Sequence, residues 1–126
     1  MFGKKIIIVE DDEDIRTSLV ELLLDEGYFV STFNNGADAL QSILSKKEAE
    51  CDLIVLDLQM PIMNGYQFSD KLREYPEHES LPIIVMSAEN HSESKLSFNK
   101  INRYVKKPLD IAHFLDTIEQ CLDLDL

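Results

Sequence analysis

Apolar residues in this chain gather in short uninterrupted runs. Four read as strands: "KIIIVE" (5–10), "DLIVLDL" (52–58), "PIIVMSA" (82–88) and "RYVKKP" (103–108), with "YFVSTF" (28–33) a weaker fifth. A run without polar alternation suits a strand covered on both faces, as in a parallel sheet between helices. Between these runs the period lengthens. Ile15, Leu19, Leu22 and Leu23 mark one helix, preceded by acids that complement a helix N-terminus and stopped at Gly27. Ala37, Leu40, Ile43 and Leu44 mark a second helix after "NNG". Phe68, Leu72 and Tyr75 mark a third after "NG", ending before Pro76, and Ile111, Phe114, Leu115, Ile118 and Leu122 a last one. The fourth connection, 89–102, is poor in apolar residues, and Leu96 and Phe98 do not share a helical face, so a short or frayed helix is expected there. Strands alternating with helices predict an α/β fold, a five-stranded parallel sheet doubly wound with helices on both faces.

The 126 residues fit one domain over 1–126. No apolar run approaches the ~20 residues of a membrane span. "MFGKK" leads straight into the first strand, leaving no room for a secretory signal, and the chain stops one helix after the last strand, so no output domain is expected. Cys51 and Cys121 match no metal-ligand spacing and are too few for a disulfide framework, which suits a reducing cytoplasm. A net charge of −12 disfavours direct nucleic-acid binding and an anionic membrane surface. It points instead to a cation, a basic protein surface, or both.

The charge is densest where Glu10, Asp11, Asp12, Glu13 and Asp14 follow one another, with no cation before Arg16. Doubly wound sheets bind ligands beyond the carboxyl ends of their strands. Glu10 and Asp11 end the first strand and Asp57 the third; if those strands are neighbours, the three carboxylates converge into an oxygen-rich pocket suited to a hard cation such as Mg²⁺. Asp12, Glu13 and Asp14 begin the first helix, and a shift of one residue would move Asp12 into the metal site. A lone strand-end Asp ordinarily caps the next turn, but Asp57 does not stand alone.

"DLQMPIMNG" (57–65) resembles the phosphoacceptor motif of the receiver (CheY-like) domains of two-component response regulators. The resemblance extends over the chain: the acidic pair ending strand 1, Asp57 ending strand 3, Ser87-Ala88 ending strand 4, and Lys107-Pro108 ending strand 5. It implies the flavodoxin-like strand order 2-1-3-4-5. It also implies that Asp57 accepts a phosphoryl group from a histidine kinase or histidine phosphotransfer protein, in a Mg²⁺-dependent reaction. Asp11 is then the direct metal ligand, Glu10 acts alongside it through water, and the backbone carbonyl of Gln59 is the third protein ligand. Ser87 hydrogen-bonds the phosphoryl group and Lys107 pairs with one of its oxygens, aimed by a cis bond to Pro108. Tyr104 matches the strand 5 aromatic that rotates into the space Ser87 vacates; read without the family it is a half-exposed aromatic on an edge strand. Such a module is a signalling phosphoacceptor that assists its own phosphorylation and dephosphorylation, and its output goes to a downstream protein.

The sequence departs from the family where many relatives carry Gly-Ala before the strand 5 aromatic, here Lys100-Ile101, and in a slightly short Ser87–Lys107 interval. Both put a family-type dimer in doubt and leave the phosphorylation chemistry intact. Gln59 and Glu89 occupy positions that influence phosphoryl lifetime in relatives. Other functions fit less well. An aspartyl phosphatase of the haloacid dehalogenase type needs an acid two residues after its nucleophile, where Gln59 stands. Gly3, Gly27, Gly36 and Gly65 make neither a P-loop nor a dinucleotide fingerprint. A degenerate receiver is opposed by the intact set Asp11, Asp57, Ser87 and Lys107. His78, His91 and His113 are expected at the surface, and Met60, Met63 and Met86 in packing.

Overall fold

Alternate residues of a strand face opposite sides of its sheet, so a strand apolar at every position demands cover on both sides. The computed structural model, which describes residues 3–46, 50–88 and 101–122, meets that demand. Its elements are β1 (Lys5–Val9), α1 (Glu13–Asp25), β2 (Phe29–Phe33), α2 (Gly36–Leu44), β3 (Leu53–Asp57), α3 (Gly65–Arg73), a 3₁₀ turn (Pro76–His78), β4 (Ile83–Ser87), β5 (Arg103–Lys106) and α4 (Ile111–Leu122). All strand pairs are parallel, in the order β2-β1-β3-β4-β5. This is the doubly wound, flavodoxin-like sheet that the pattern and the resemblance predict. The helix expected in the fourth connection falls on 89–100, outside the described residues.

Each strand of the sheet's centre divides its side chains between two cores. Ile7, Val9, Ile54, Leu56, Ile83 and Val85 pack with Ala39, Leu40 and Ile43 of α2 and Phe68 and Leu72 of α3. Ile6, Ile8, Leu53, Val55, Ile84 and Met86 pack on the other face with Leu19 and Leu23 of α1 and Phe114, Ile118 and Leu122 of α4. The weak β2 run is an edge strand, with Phe29 63% exposed.

Helix stripes shift slightly from their sequence reading. In α2 the buried alanine is Ala39 rather than Ala37, because the helix begins at Gly36 and the inward line runs through Gly36, Ala39, Leu40 and Ile43. Tyr75 leaves the α3 stripe: the helix ends at Arg73 and the chain turns into Pro76–His78, leaving Tyr75 40% exposed. In α4 the first apolar position, Ile111, is half exposed, and Thr117 is buried with its hydroxyl donating to the His113 carbonyl at 2.8 Å. Met60 and Met86 are buried and Met63 packs on the first core. His113 is exposed, His78 half-buried, and His91 lies outside the described residues.

The start of α3 sets the loop that follows β3. Asn64 Oδ1 accepts from the Gln67 N–H and Gln67 Oε1 accepts from the Asn64 N–H, both at 2.9 Å, closing a capping box. Gly65 N–H donates to the Leu58 carbonyl at 2.9 Å, and a Cβ on Gly65 would lie 3.2 Å from Leu58 Cα. Close backbone approach therefore favours glycine here. Replacing Asn64 with Ala removes the side-chain cap on the Gln67 N–H, while the backbone N–H of residue 64 can still donate to Gln67 Oε1, and is expected to cost about 1 kcal/mol of stability. Urea unfolding of Asn64→Ala checks this, and an unchanged midpoint would contradict the cap's role.

Candidate functional site

Register delivers four side chains to one edge of the sheet. Val9 pairs with Leu56, so the next residues, Glu10 and Asp57, emerge side by side. Asp57 pairs with Met86, and Ser87 follows it. Ser87 pairs with Lys106, and Lys107 follows that, its N–H donating to the Ser87 carbonyl at 2.8 Å. Leu58 N–H donates to Met86 at 2.9 Å and Glu10 N–H to Phe33 at 3.0 Å, so the ladder holds this edge firmly.

Glu10 is fully buried, Asp57 is 6% exposed and Ser87 2%, whereas Asp11 is exposed. Carboxylate oxygens of Glu10, Asp11 and Asp57 lie within 4.8 Å of one another. Three oxygen ligands at that spacing suit a hard divalent cation, so these residues fit Mg²⁺. Gln59 is exposed, and its backbone N–H donates to Asp57 Oδ1 at 3.3 Å. Asp12 stays out of the cluster: its Oδ1 accepts from the Ile15 N–H at 3.0 Å and caps α1. Arg16, the first cation after the acidic run, donates from Nη1 to the Glu10 backbone carbonyl at 2.8 Å. It bonds the backbone at that residue and leaves the carboxylates to another partner.

That partner is Lys107, whose Nζ is 3.3 Å from both Glu10 Oε1 and Asp57 Oδ1. The Lys107–Pro108 peptide is cis. Burial pushes the Lys107 ammonium toward deprotonation, but Glu10 and Asp57 outweigh it and hold its pKa above the ordinary value. Glu10 goes the other way for an acid. Burial first, then the charge of Asp57, raises its pKa from 4.5 to about 7, against the opposing pull of the Asp12 N–H and Lys107. One ammonium cannot neutralise two buried carboxylates, so near neutral pH Glu10 hovers between a proton and a charge.

Tyr104 sits on β5 opposite Val85, two residues before Lys106. Its ring packs on the first core, and its hydroxyl donates to the Tyr66 hydroxyl at 2.8 Å. Tyr66 had no place in the sequence reading. It falls between the apolar positions of α3, and a hydroxyl contact across 38 residues leaves no periodic trace.

An acid whose folded-state pKa lies above its unfolded value binds more protons when folded. Its contribution is fully present below about pH 4.5 and is lost as pH rises through about 7. Metal-free protein should lose roughly 3 kcal/mol across that window, and Glu10→Gln should flatten the slope. Thermal unfolding in chelator at stepped pH checks this; an equally steep slope in Glu10→Gln would assign the titration elsewhere.

Comparison with known proteins agrees with this architecture. The response regulator receiver domain family model matches residues 6–119. The transcriptional regulatory protein YbdJ of Bacillus subtilis (strain 168) is 36% identical over 124 residues, covering 98% of this chain and 52% of its own length. A 14.6 kDa protein in the sodA1 3' region of Leptolyngbya boryana is 34% identical over 120 residues, covering 93% of this chain and 89% of its own. The chain thus spans about half of YbdJ and most of the Leptolyngbya protein. Among solved structures, chemotaxis protein CheY4 of Vibrio cholerae superposes with a TM-score of 0.85 at 27% identity, covering 94% of this chain and 98% of that one. Response regulator TrrA of Thermotoga maritima, solved in complex with Mg²⁺ and BeF, superposes with a TM-score of 0.81 at 30% identity and the same coverage. With the family match running from the first strand into the last helix, this chain belongs to the response regulator receiver domains.

Proposed function

We propose that this receiver is a phosphoacceptor in a two-component system or phosphorelay, taking a phosphoryl group onto Asp57 from a phosphohistidine on a histidine kinase or histidine phosphotransfer protein. The observation that carries the reading is the placement of nearly buried Asp57 between Lys107 Nζ at 3.3 Å and the carboxylates of Glu10 and Asp11. A carboxylate oxygen of Asp57 attacks phosphorus, the P–N bond of the donor breaks as the P–O bond forms, and the imidazole nitrogen keeps the bonding pair.

An anionic phosphoryl group meets three carboxylates and one ammonium here, so its approach requires further positive charge. Mg²⁺, held by Asp11, Asp57 and the Gln59 carbonyl with Glu10 alongside through water, would supply that charge; TrrA, at 30% identity, was solved with Mg²⁺ and BeF. Lys107 offsets the charge from the opposite side and pairs with a phosphoryl oxygen. Ser87, next to the residue paired with Asp57, donates its hydroxyl to the new phosphoryl oxygens, and Tyr104 responds to the displacement. The domain turns over no external substrate; its product is its own altered surface, read in the cytoplasm by a downstream protein. A charge of −12 opposes direct nucleic-acid contact by this domain.

Incubation with acetyl phosphate followed by intact-mass measurement should show one added phosphoryl group with Mg²⁺ present. None should appear in chelator or in Asp57→Asn. Absence of any adduct, from acetyl phosphate or from a phosphorylated histidine kinase, would refute the phosphoacceptor reading. Lys107→Ala should retain Mg²⁺ binding yet leave the NMR signals of β5 unmoved on phosphorylation. Shifts equal to those of the parent would remove Lys107 from the switch.

A further inference from the structure

The Tyr66–Tyr104 hydroxyl contact joins two elements that the sheet itself does not join. Tyr66 lies in the first turn of α3, immediately after the loop that leaves Asp57. Tyr104 lies on β5, at the far side of β4. Both rings pack on the first core, which leaves the two phenol oxygens 2.8 Å apart in a partly buried setting.

We propose that Tyr66 is a positioning residue for the switch: its hydroxyl anchors Tyr104 in the inward rotamer and so ties the state of β5 to the helix that follows the phosphoacceptor loop. This rests on the phosphoacceptor reading for its consequence and on the structure for its geometry. An anchor is useful only if one end stays put. The Asn64–Gln67 capping box and the Gly65–Leu58 backbone bond fix the turn that carries Tyr66. Tyr104, on a four-residue edge strand, is the end that the proposal lets rotate.

The environment makes the bond hard to replace. Tyr104's phenol is held well above its ordinary pKa, by burial first and by the bond to Tyr66 second. A phenol is a donor throughout the neutral range, and this shift only strengthens that. In the proposed switch, Tyr104 packed on the first core beside Val85 belongs to the same state as Ser87 turned to the phosphoryl group. Because linkage is reciprocal, whatever stabilises inward Tyr104 also strengthens binding of the phosphoryl group. A neutral hydrogen bond of this kind corresponds to roughly a two- to tenfold effect on that equilibrium.

The test is a double-mutant cycle on Tyr66→Phe and Tyr104→Phe, each of which keeps its ring and loses one hydroxyl. In metal-free protein, ¹³C-tyrosine NMR should show the Tyr104 ring shifting or dividing between two environments in Tyr66→Phe, with far-UV dichroism unchanged. Affinity for beryllofluoride in the presence of Mg²⁺ should fall about two- to tenfold in each single variant, and no further in the double. An unmoved Tyr104 signal in Tyr66→Phe would overturn the anchor. Additive losses, or an unchanged beryllofluoride affinity, would overturn its coupling to the site. Failure of the parent protein to bind beryllofluoride would refute the coupling together with the phosphoacceptor reading, and the metal-free spectrum would still decide the anchor by itself.

Discussion

Two buried carboxylates that share a single ammonium are the constraint on which this domain is organised. Glu10 and Asp57 both lie at most 6% exposed, and Lys107 is 3.3 Å from each. Removing an ion from water costs several kcal/mol unless it is well paired, and here the pairing is one cation short. The molecule answers by raising the Glu10 pKa to about 7, so that a proton stands in for the missing charge. A second cation would do better than a proton, because it could serve Asp11 as well. On the proposed function, the deficit that weakens the free domain would be the driving force for binding metal and, through metal, a phosphoryl group. Natural proteins often keep such destabilised polar clusters only where function requires them.

The deficit could not be assembled on a looser scaffold. Glu10, Asp57, Ser87 and Lys107 come from four strand ends, and each occupies the first position past, or the last position of, a paired run. A slip of one residue in any parallel pair would turn that side chain to the opposite face. What prevents slippage is the chemistry of the strands themselves. Ile6 to Val9, Leu53 to Leu56 and Ile83 to Met86 are all fully buried, so each register error would still bury apolar side chains but in cores shaped for others. Packing precision, more than hydrophobicity, positions the charges.

This explains which parts were legible in the sequence. Uninterrupted apolar runs report burial on both faces directly, so the central strands and the class of sheet could be read, and strand-end acids followed from them. The acidic run was harder to divide, since five successive carboxylates carry no mark of role; only the Asp12–Ile15 bond separates the cap from the cluster. Arg16, the first cation after the run, bonds the Glu10 backbone, a role its position in the sequence does not mark. Tyr75 kept helical spacing with Phe68 and Leu72 beyond the point where the helix had ended. Tyr66 and Tyr104 were the least legible pair, because a contact between two hydroxyls depends on side-chain directions that periodicity does not encode.

The loop between β3 and α3 connects the constraint to the first turn of α3. Within it Ile62 has φ +71, a conformation that β-branched residues rarely adopt, and the Met63 N–H donates across it to the Pro61 carbonyl at 2.7 Å. Such a residue costs of order 1–3 kcal/mol and persists only where its surroundings over-determine it. Here they do: the Gln59 N–H is bonded to Asp57, the Leu58 carbonyl to Gly65, and Asn64 to Gln67. A loop bonded at both ends around a strained centre has little room to drift. If Asp57 takes up a phosphoryl group as proposed, displacement would fall on Ser87 and β5 rather than on this loop and the first turn of α3. Tyr66 on that turn, bonded to Tyr104 on the edge strand β5, would then join the element that holds to the one that moves.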